Sequence, residues 1–276
     1  NLQQCIDSPI VLFKDGNINL EKTKILSIVG TRNMSTYGKD FCEKMIEELT
    51  VYNPIIVSGF AYGVDICAHK AAMKNGLQTI AVLAHGFEQI YPKVHKKYMR
   101  QVMENGGFYT EFGFEENPLR ENFLRRNRIV AGISQATIII ESAEKGGSLV
   151  TADIANSYDR EVFALPGRTS DLYSKGCNNL IKNHQAVLLT SSNDIVKMLN
   201  WDVISKPQKA IQQELFIMLT DQEQTIYNHL KAQGKQLLDQ ISLDCNIPMY
   251  QLSSVLLQME LKGITKPLPG KMFELA

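Results

Sequence analysis

Glycines, hydroxyl residues and cations cluster in four short segments of this 276-residue sequence. The segments are VGTRNMSTYGK at 29–39, SGFAYGVDICAHKAA at 58–72, ENFLRRNRIVAG at 121–132 and ESAEKGGSLVTADIA at 141–155. The first, second and fourth join a predicted strand to a predicted helix, whose N-terminal N–H groups and dipole favour an anion. The third supplies three arginines, and a guanidinium group can bind a phosphate with two hydrogen bonds. Together the segments predict a site for a phosphate-bearing ligand.

Aromatic and acidic residues in these segments allow more than one role. Phe60 and Tyr62 stand where bases could stack. Phe123 could also stack but is assigned to the core, and His69 is assigned to packing of a helix on the sheet. Asp65 is expected to cap the helix that follows Gly63. Glu141 and Glu144 could serve acid–base chemistry, although exposed loop carboxylates are the commoner case.

Familiar catalytic and cofactor patterns are absent from the sequence. The fourth segment lacks the GK[ST] ending of a P-loop and is not GxGxxG, so no dinucleotide is indicated. No Ser-His-Asp pattern, Cys-His pair or metal cluster stands out. The five scattered cysteines form no CxxC pair and are interpreted as free thiols in a reducing cytosol. The sequence therefore predicts a binding protein with no cofactor, and not an enzyme.

The overall charge requires that any anion site be made locally. Lys plus Arg equal Asp plus Glu at 29 each, so a generally basic surface is not the means of binding. No apolar run is long enough to span a bilayer, and the start resembles no secretory signal. The sequence thus predicts a soluble, cytoplasmic protein. Because it lacks an initiating Met, a missing upstream segment is also expected.

Five buried strands alternate with helices over the first 200 residues. The apolar runs ILSIVG, PIIVSG, TIAVLAHG, ATIIIES and REVFALPG are rich in β-branched residues and bounded by Gly, Pro or Ser; AVLLT adds a last strand. Unbroken apolar strands separated by helices predict an α/β, Rossmann-like, mostly parallel sheet with helices on both faces. We assign residues 1–204 to this domain and the polar stretch 205–215 to a linker. Three helices and a terminal hairpin over 216–276 predict a small C-terminal winged-helix domain.

The motifs, taken together, resemble the DNA-processing protein A family, also called DprA or Smf. VGTR, SGFAYGVDICAH, ENFLRRNRIVAG, EKGGSLVTADIA, REVFALPG and SKGCNNLIK occur in the order found in that family, over roughly residues 9–190. The resemblance implies a core that binds single-stranded DNA, usually as a homodimer, and passes incoming DNA to the RecA recombinase during natural transformation. It also implies contact with single-strand-binding protein, and a domain before the core in many members.

Carried onto this chain residue by residue, the resemblance completes the candidate DNA-binding set. The set is Gly30, Thr31, Arg32, Ser58, Gly59, Tyr62, Gly63, Arg126, Asn127, Arg128, Lys145, Gly146, Gly147 and Ser148. Tyr62 departs from the family pattern, which usually has an arginine there. The change replaces a charge-assisted phosphate contact with an aromatic ring that could stack on a base.

Two other functions remain open from the residues. A Rossmann-like nucleoside-monophosphate phosphoribohydrolase also has a glycine-rich loop beside a glutamate, although the trailing Glu of its motif is missing here. A regulator of double-stranded DNA would use the winged helix, but the candidate recognition helix at 249–262 has Lys262 as its only basic residue.

Overall fold

The computed structural model describes residues 2–21, 24–201 and 219–275. The chain divides into two compact units, Asn1–Val203 and Ile204–Ala276. The predicted linker at 205–215 lies outside the described residues, and the exact domain limits stay a prediction. None of the helices in the described residues is long and apolar enough to cross a membrane.

The first unit alternates strands and helices. Its strands are β1 (Phe13–Gly16), β2 (Ile25–Val29), β3 (Ile55–Ser58), β4 (Thr79–Val82), β5 (Gly106–Thr110), β6 (Ala136–Ile139), β7 (Glu161–Ala164) and β8 (Val187–Leu188). Its helices are α1 (Thr36–Glu48), α2 (Val64–Lys74), α3 (Lys96–Glu104), α4 (Arg120–Ile133), α5 (Gly147–Ser157), α6 (Lys175–Lys182) and α7 (Ser192–Met198).

These strands form one eight-stranded sheet in the order β1-β5-β4-β3-β2-β6-β7-β8. All neighbours pair in parallel except β1, which runs antiparallel to β5. The chain adds strands outwards from β2 to β5 in one direction and from β6 to β8 in the other. The order therefore reverses between β2 and β6, and a crevice for ligands is expected at their carboxyl ends.

Alternation along the central strand divides the core into two layers. Leu26 and Ile28 of β2 pack with apolar residues of α1, α2 and α7. Ile25 and Val29 of the same strand pack with α4, α5 and α6. Successive strand side chains point to opposite faces, so the unbroken apolar run feeds both layers. The predicted Rossmann-like sheet with helices on both faces is confirmed.

The antiparallel edge of the sheet was not predicted. Strand β1 has the sequence FKDG, with mostly exposed residues, and β5 has the sequence GGFYT. Neither resembles the β-branched runs of the other strands. Lys14 pairs with Tyr109 and Gly16 with Gly107, so β1 is placed by its partner rather than by its own apolar content.

The second unit has the element order of a winged helix. It contains α8 (Asp221–Gln233), β9 (Gln236–Leu237), α9 (Leu238–Asp244), α10 (Met249–Leu261), β10 (Thr265–Leu268) and β11 (Met272–Leu275). Thr220 and Glu223 form a capping box at the start of α8, and Gly234 ends it at φ 73°. The predicted terminal hairpin is present as β10 and β11, with β9 as the third strand of the sheet. The predicted C-terminal winged-helix fold is confirmed.

Candidate nucleic-acid interface

A cleft of about 710 Å³ opens where the order of the sheet reverses. The loops after β2, β3 and β6 and one face of α4 form its walls. Of the predicted residues, those that line it are Gly30, Thr31, Arg32, Gly59, Arg126, Asn127, Lys145, Gly146, Gly147 and Ser148. Ser58, Tyr62, Gly63 and Arg128 are not among the lining residues. The first, second and fourth segments, far apart in sequence, thus meet the third at one rim of the sheet.

The cleft is locally cationic although the chain is neutral. Its described lining includes Arg32, Arg120, Arg126 and Lys145, against a single carboxylate, that of Asp65. Four positive groups and one negative group leave an excess that favours an anionic ligand. Such a local concentration of positive charge was predicted from the sequence, because the chain as a whole is neutral.

The N-terminus of α5 is open to the cleft. Gly146 precedes the helix and provides no side-chain cap, and within the described residues no acceptor is found for the N–H groups of Gly147 and Ser148. A Cβ atom built on Gly147 would meet nothing within 4 Å, and the Lys145 side chain beside it is exposed. Open N–H groups, the helix dipole and an ammonium group make a cradle for a phosphate.

Ser148 contributes its backbone rather than its side chain. Its hydroxyl donates a hydrogen bond to Ser142 Oγ at 2.9 Å and is mostly buried. A side chain on Gly146 would collide with the same Ser142 hydroxyl, so a glycine is needed for the loop to close this tightly. The hydroxyl predicted to bind a ligand therefore holds the cradle in shape.

At the N-terminus of α1, the position that an anion would take is occupied by a carboxylate of the protein itself. Glu141 accepts hydrogen bonds from the Ser35 N–H at 2.8 Å and the Ser35 hydroxyl at 2.5 Å. The Ser35 hydroxyl oxygen in turn accepts from the Gly38 N–H at 3.1 Å, and the Thr31 N–H is bonded to the Glu141 carbonyl at 2.7 Å. The prediction that this loop offers its amides to a ligand is wrong for these groups, which leaves Arg32 as its cationic contribution.

Glu141 is also not the exposed loop carboxylate that was expected. It is 4% exposed, whereas Glu144 is exposed as expected. A Cβ atom on Gly38 would lie 2.6 Å from Glu141 Oε2, so a glycine in the first turn of α1 makes room for the carboxylate. That glycine is the one sequence signal that pointed to this contact.

The second segment mainly holds the loops together. Ser58 is fully buried and donates to the Ile28 carbonyl at 2.6 Å. Gly63 has φ 73° and packs against the backbone of Thr31 and Arg32, where a Cβ atom would collide. Gly59 lines the cleft because its missing side chain gives room to the Arg126 guanidinium group. Ser58 and Gly63 therefore do not line the cleft, but their contacts hold its loops in position.

Asp65 and Arg126 are two buried residues of opposite charge in the cleft wall, close enough for their charges to interact. Burial raises the pKa of Asp65, and the positive charge of Arg126 opposes that shift. Arg126 donates to the Val82 carbonyl, while its buried Nε has no partner among the described residues. Asp65 is not the helix cap that was expected: Gly63 occupies the N-cap position, and Asp65 accepts from the Ala61 N–H in the loop at 3.3 Å.

The third segment lies on helix α4, and its arginines point in different directions. Arg126 faces the cleft, but Arg128 is largely buried and paired with Glu111, which also lies 3.9 Å from Arg125. Because neighbouring positions on a helix are about 100° apart, these side chains cannot share one face. The structure therefore does not bring Arg128 to the cleft that Lys145 lines.

The face of α4 in the cleft carries two residues that the sequence analysis missed. Arg120, Phe123 and Asn127 are spaced as neighbours on one side of a helix, and all three line the cleft. Phe123 was assigned to the core, but it is only half-buried. Its ring contacts Tyr91, with 5.4 Å between centroids, and the guanidinium group of Arg32 lies 5.6 Å from its centroid. Spacing along the helix was the signal that would have found Arg120.

Two further predicted residues lie away from the cleft. Tyr62 is 44% exposed, and its ring meets the His95 ring edge-on. His69 has the expected structural role: it is fully buried, its Nδ1 is 2.7 Å from Thr79 Oγ1, and burial lowers its pKa to about 3. The buried imidazole is therefore neutral at physiological pH.

Comparison with known proteins identifies the family. The model of the family described as DNA recombination-mediator protein A matches residues 1–200, and that of the DprA winged helix domain matches residues 207–271. The chain belongs to the DNA recombination-mediator protein A family, also called DprA or Smf. Family models for DprA thus match the sequences of both units, and the motifs at 9–190 had implied this family for the first of them.

Relatives of this family are similar over most of the chain. "DNA processing protein DprA" of Streptococcus pneumoniae is 39% identical over 71% of this chain and 69% of its own. "Protein Smf" of Escherichia coli is 34% identical over 96% of this chain and 71% of its own.

Two solved structures share the fold at this level of similarity. The X-ray structure of DprA from S. pneumoniae superposes with a TM-score of 0.68, at 39% identity over 71% of this chain and 69% of that one. A structure described as showing the single-stranded DNA binding mode of DNA processing protein A from Helicobacter pylori gives 0.67, at 30% identity over 73% and 92%.

The winged-helix unit lacks a free cation on its candidate recognition helix. Lys262, which follows α10, binds both carboxylate oxygens of Glu223 at 2.6 and 2.8 Å. Glu223 is 1% exposed, so the charge of the exposed Lys262 is engaged by a buried carboxylate of α8. The exposed residues of α10 include Tyr250, Leu257 and Leu261 instead. This helix is poorly suited to contact the phosphates of duplex DNA.

Proposed function

We propose that this member of the DprA family binds single-stranded DNA in the cleft at the carboxyl ends of β2 and β6. The observation that carries the proposal is the meeting of four cations and the uncapped N-terminus of α5 in one described cleft. A nucleic acid backbone is the polymer whose repeating charge fits such a site. The single-stranded DNA binding named for the H. pylori relative supports the same ligand.

The half-buried ring of Phe123 favours a single strand over a duplex. An unpaired base can lie against an aromatic face, which contributes about 1–3 kcal/mol per base, whereas bases in a duplex are already stacked. The contacts offered by the cleft are charges and backbone amides, which hold phosphates and do not distinguish sequence. Binding is therefore expected to be insensitive to base sequence.

We further propose that the bound strand is passed to the RecA recombinase during DNA processing or transformation. The description of the family as a recombination mediator supports this role. The same proposal includes a homodimer, contact with single-strand-binding protein, action in the cytoplasm and no catalytic activity. Against a phosphoribohydrolase, the Glu141 carboxylate is occupied by Ser35 and is absent from the cleft lining.

Titration of fluorescent oligo-dT and a matched duplex at several salt concentrations tests the DNA-binding proposal. Lys145→Ala is expected to lower affinity for oligo-dT and to flatten the slope of log K against log salt by about 0.7, the value for one single-strand phosphate contact. Lys74→Ala is the matched control, because Lys74 is exposed in the last turn of α2, at the end remote from the cleft. It should leave both quantities unchanged.

Equal or tighter binding of the duplex would refute the preference for a single strand. An identical response of the Lys145 and Lys74 variants would refute the cleft as the site. The mediator role is tested separately, by RecA filament assembly on DNA covered with single-strand-binding protein. Wild-type protein should accelerate assembly, and absence of acceleration would overturn that part of the proposal.

A further inference from the structure

A second surface of aromatic and basic residues lies beside the cleft. Ala61 lines the cleft, and Tyr62, the next residue along the same loop, is 44% exposed outside it. The segment YPKVHKKYMR at 91–100, interpreted from the sequence as a solvated helix face, lies against this tyrosine. We call the exposed side chains of Tyr62, Lys70 and Lys97, together with the half-buried ring of Tyr98, the flanking surface.

A buried histidine fixes both tyrosines of the flanking surface. His95 is 4% exposed, and its Nδ1 is 2.9 Å from the carbonyl oxygen of Phe60. Its ring centroid lies 5.1 Å from that of Tyr62 and 6.1 Å from that of Tyr98. The segment at 91–100 is therefore two-sided, because its histidine anchors the loop while its lysines face the solvent.

Two lysines from different helices converge on Tyr98. The ammonium group of Lys70 on α2 lies 5.7 Å from the ring centroid, and that of Lys97 on α3 lies 5.1 Å from it. Within the described residues neither lysine forms an ion pair, and Glu43, which lines a pocket with Lys70, is paired with Lys39 at 3.9 Å. Aromatic rings beside unpaired cations are the composition that binds single strands without sequence preference.

The flanking surface is connected to the cleft through the loop after β3. Gly63, after Tyr62, packs on the backbone of Arg32, whose side chain is in the cleft. Lys70 lies six residues into α2 after Val64, which corresponds to about 9 Å along the helix axis. Tyr62 is linked to Lys70 through the rings of His95 and Tyr98, and to the cleft through the loop that packs on Arg32.

We propose that the flanking surface is an extension of the DNA site, on which a strand leaving the cleft continues. A base stacks on Tyr62, and the following phosphates lie between Lys70 and Lys97. This inference rests on the proposed function, since it requires the cleft to hold DNA. It adds a second contact region that only longer strands reach.

The test is a comparison of oligo-dT of 5 and 20 nucleotides, titrated against the double variant Lys70→Ala/Lys97→Ala. Affinity for the 20-mer is expected to fall roughly fivefold or more, with a salt slope lower by about 1.4 for two lost phosphate contacts. Affinity for the 5-mer should change less than about twofold, because the cleft is intact. The control Lys182→Ala/Lys197→Ala removes two exposed lysines in the last turns of α6 and α7 and should affect neither oligonucleotide.

Tyr62 provides an independent test of the stacking contact. Tyr62→Ala should weaken the 20-mer selectively, and Tyr62→Trp should restore binding, since an aromatic face is what the base requires. The extension is overturned if the lysine double variant binds the 20-mer like its control, or if both oligonucleotides lose affinity equally. Failure of the wild-type protein to bind the 5-mer, or indifference of that binding to Lys145→Ala, would instead refute the cleft.

Discussion

The connections after β2 and β6 begin alike and end differently. Each leads from a buried central strand into a helix at the same rim of the sheet, and each presents a helix N-terminus there. At α1 the position for an anion is taken by Glu141, while at α5 the N–H groups of Gly147 and Ser148 are left without acceptors in the described residues. The difference separates groups that the fold uses for itself from groups that remain for a ligand.

The same division applies to the cations of the cleft. Arg126 is 5% exposed, is bonded to the Val82 carbonyl and lies near Asp65, whereas Lys145 is exposed. A buried cation that compensates a buried carboxylate contributes to folding, and an exposed one contributes to binding with little effect on folding. The two should therefore respond to substitution in different experiments.

The largest expected effect is the loss of stability in Arg126→Met. The substitution leaves the buried Asp65 carboxylate without a neighbouring positive charge, which is expected to cost about 3 kcal/mol of unfolding free energy. Urea denaturation followed by circular dichroism measures the loss. The double variant Asp65→Asn/Arg126→Met should recover part of it, because no charge is then left alone. A loss below about 1 kcal/mol in the single variant would contradict the role given to this pair.

Gly147→Asp should convert the open helix end into a filled one. Its carboxylate would compete with a phosphate at the start of α5, and affinity for oligo-dT is expected to fall about 30-fold, equivalent to about 2 kcal/mol. Stability should be unchanged or higher by about 0.3–1 kcal/mol, since a negative charge suits a helix N-terminus. Gly147→Asn is the neutral control. An equal loss in both variants would show that bulk, not charge, is responsible.

The opposite change, Glu141→Gln, should affect folding and spare binding. The variant loses the charge-assisted bonds to Ser35, with an expected cost of about 1–2 kcal/mol in urea denaturation. Its affinity for oligo-dT should stay within about twofold of the wild type, because Glu141 is outside the cleft lining. Glu144→Gln, which changes an exposed carboxylate in the same loop, is the control. A large loss of affinity in Glu141→Gln alone would remove the distinction between the two helix ends.

The last expected effect concerns the pH dependence of stability. Burial lowers the pKa of His69 to about 3 from an ordinary value of 6.5, so between these values the unfolded chain binds the extra proton. The contribution is complete above pH 6.5 and is lost as pH falls towards 3, by at most about 1.4 kcal/mol per pH unit. Asp65, whose pKa is raised, acts in the opposite direction. His69→Gln should flatten the curve between pH 6.5 and 4, and an unchanged curve would contradict the buried neutral imidazole.

The central strands were predictable from the sequence because burial on both faces requires unbroken apolar residues. Strand β1 was not, because its lysine and aspartate are tolerated at a sheet edge by pairing with β5. The cleft followed from the topology, since loops after adjacent strands must meet. The hydrogen bonds between Glu141 and Ser35 could not be predicted, because these residues are far apart in the sequence and meet only in the folded chain.

The directions in which the arginines of α4 point are the second feature that the sequence analysis did not predict. The density of arginine at 125–128 suggested a phosphate site, but orientation on α4 sends Arg128 to Glu111 and Arg126 towards Asp65. Residue type alone does not distinguish these outcomes. The position of each arginine relative to Phe123 and Asn127, which share one helix face, was the more informative feature.

The most direct test is a crystal structure of the complex with a short oligo-dT. We predict a phosphate oxygen about 3 Å from the N–H groups of Gly147 or Ser148, with the Lys145 ammonium group beside it and Glu141 still bonded to Ser35. DNA bound entirely outside the cleft, or a phosphate that displaces Glu141 from the start of α1, would contradict the account.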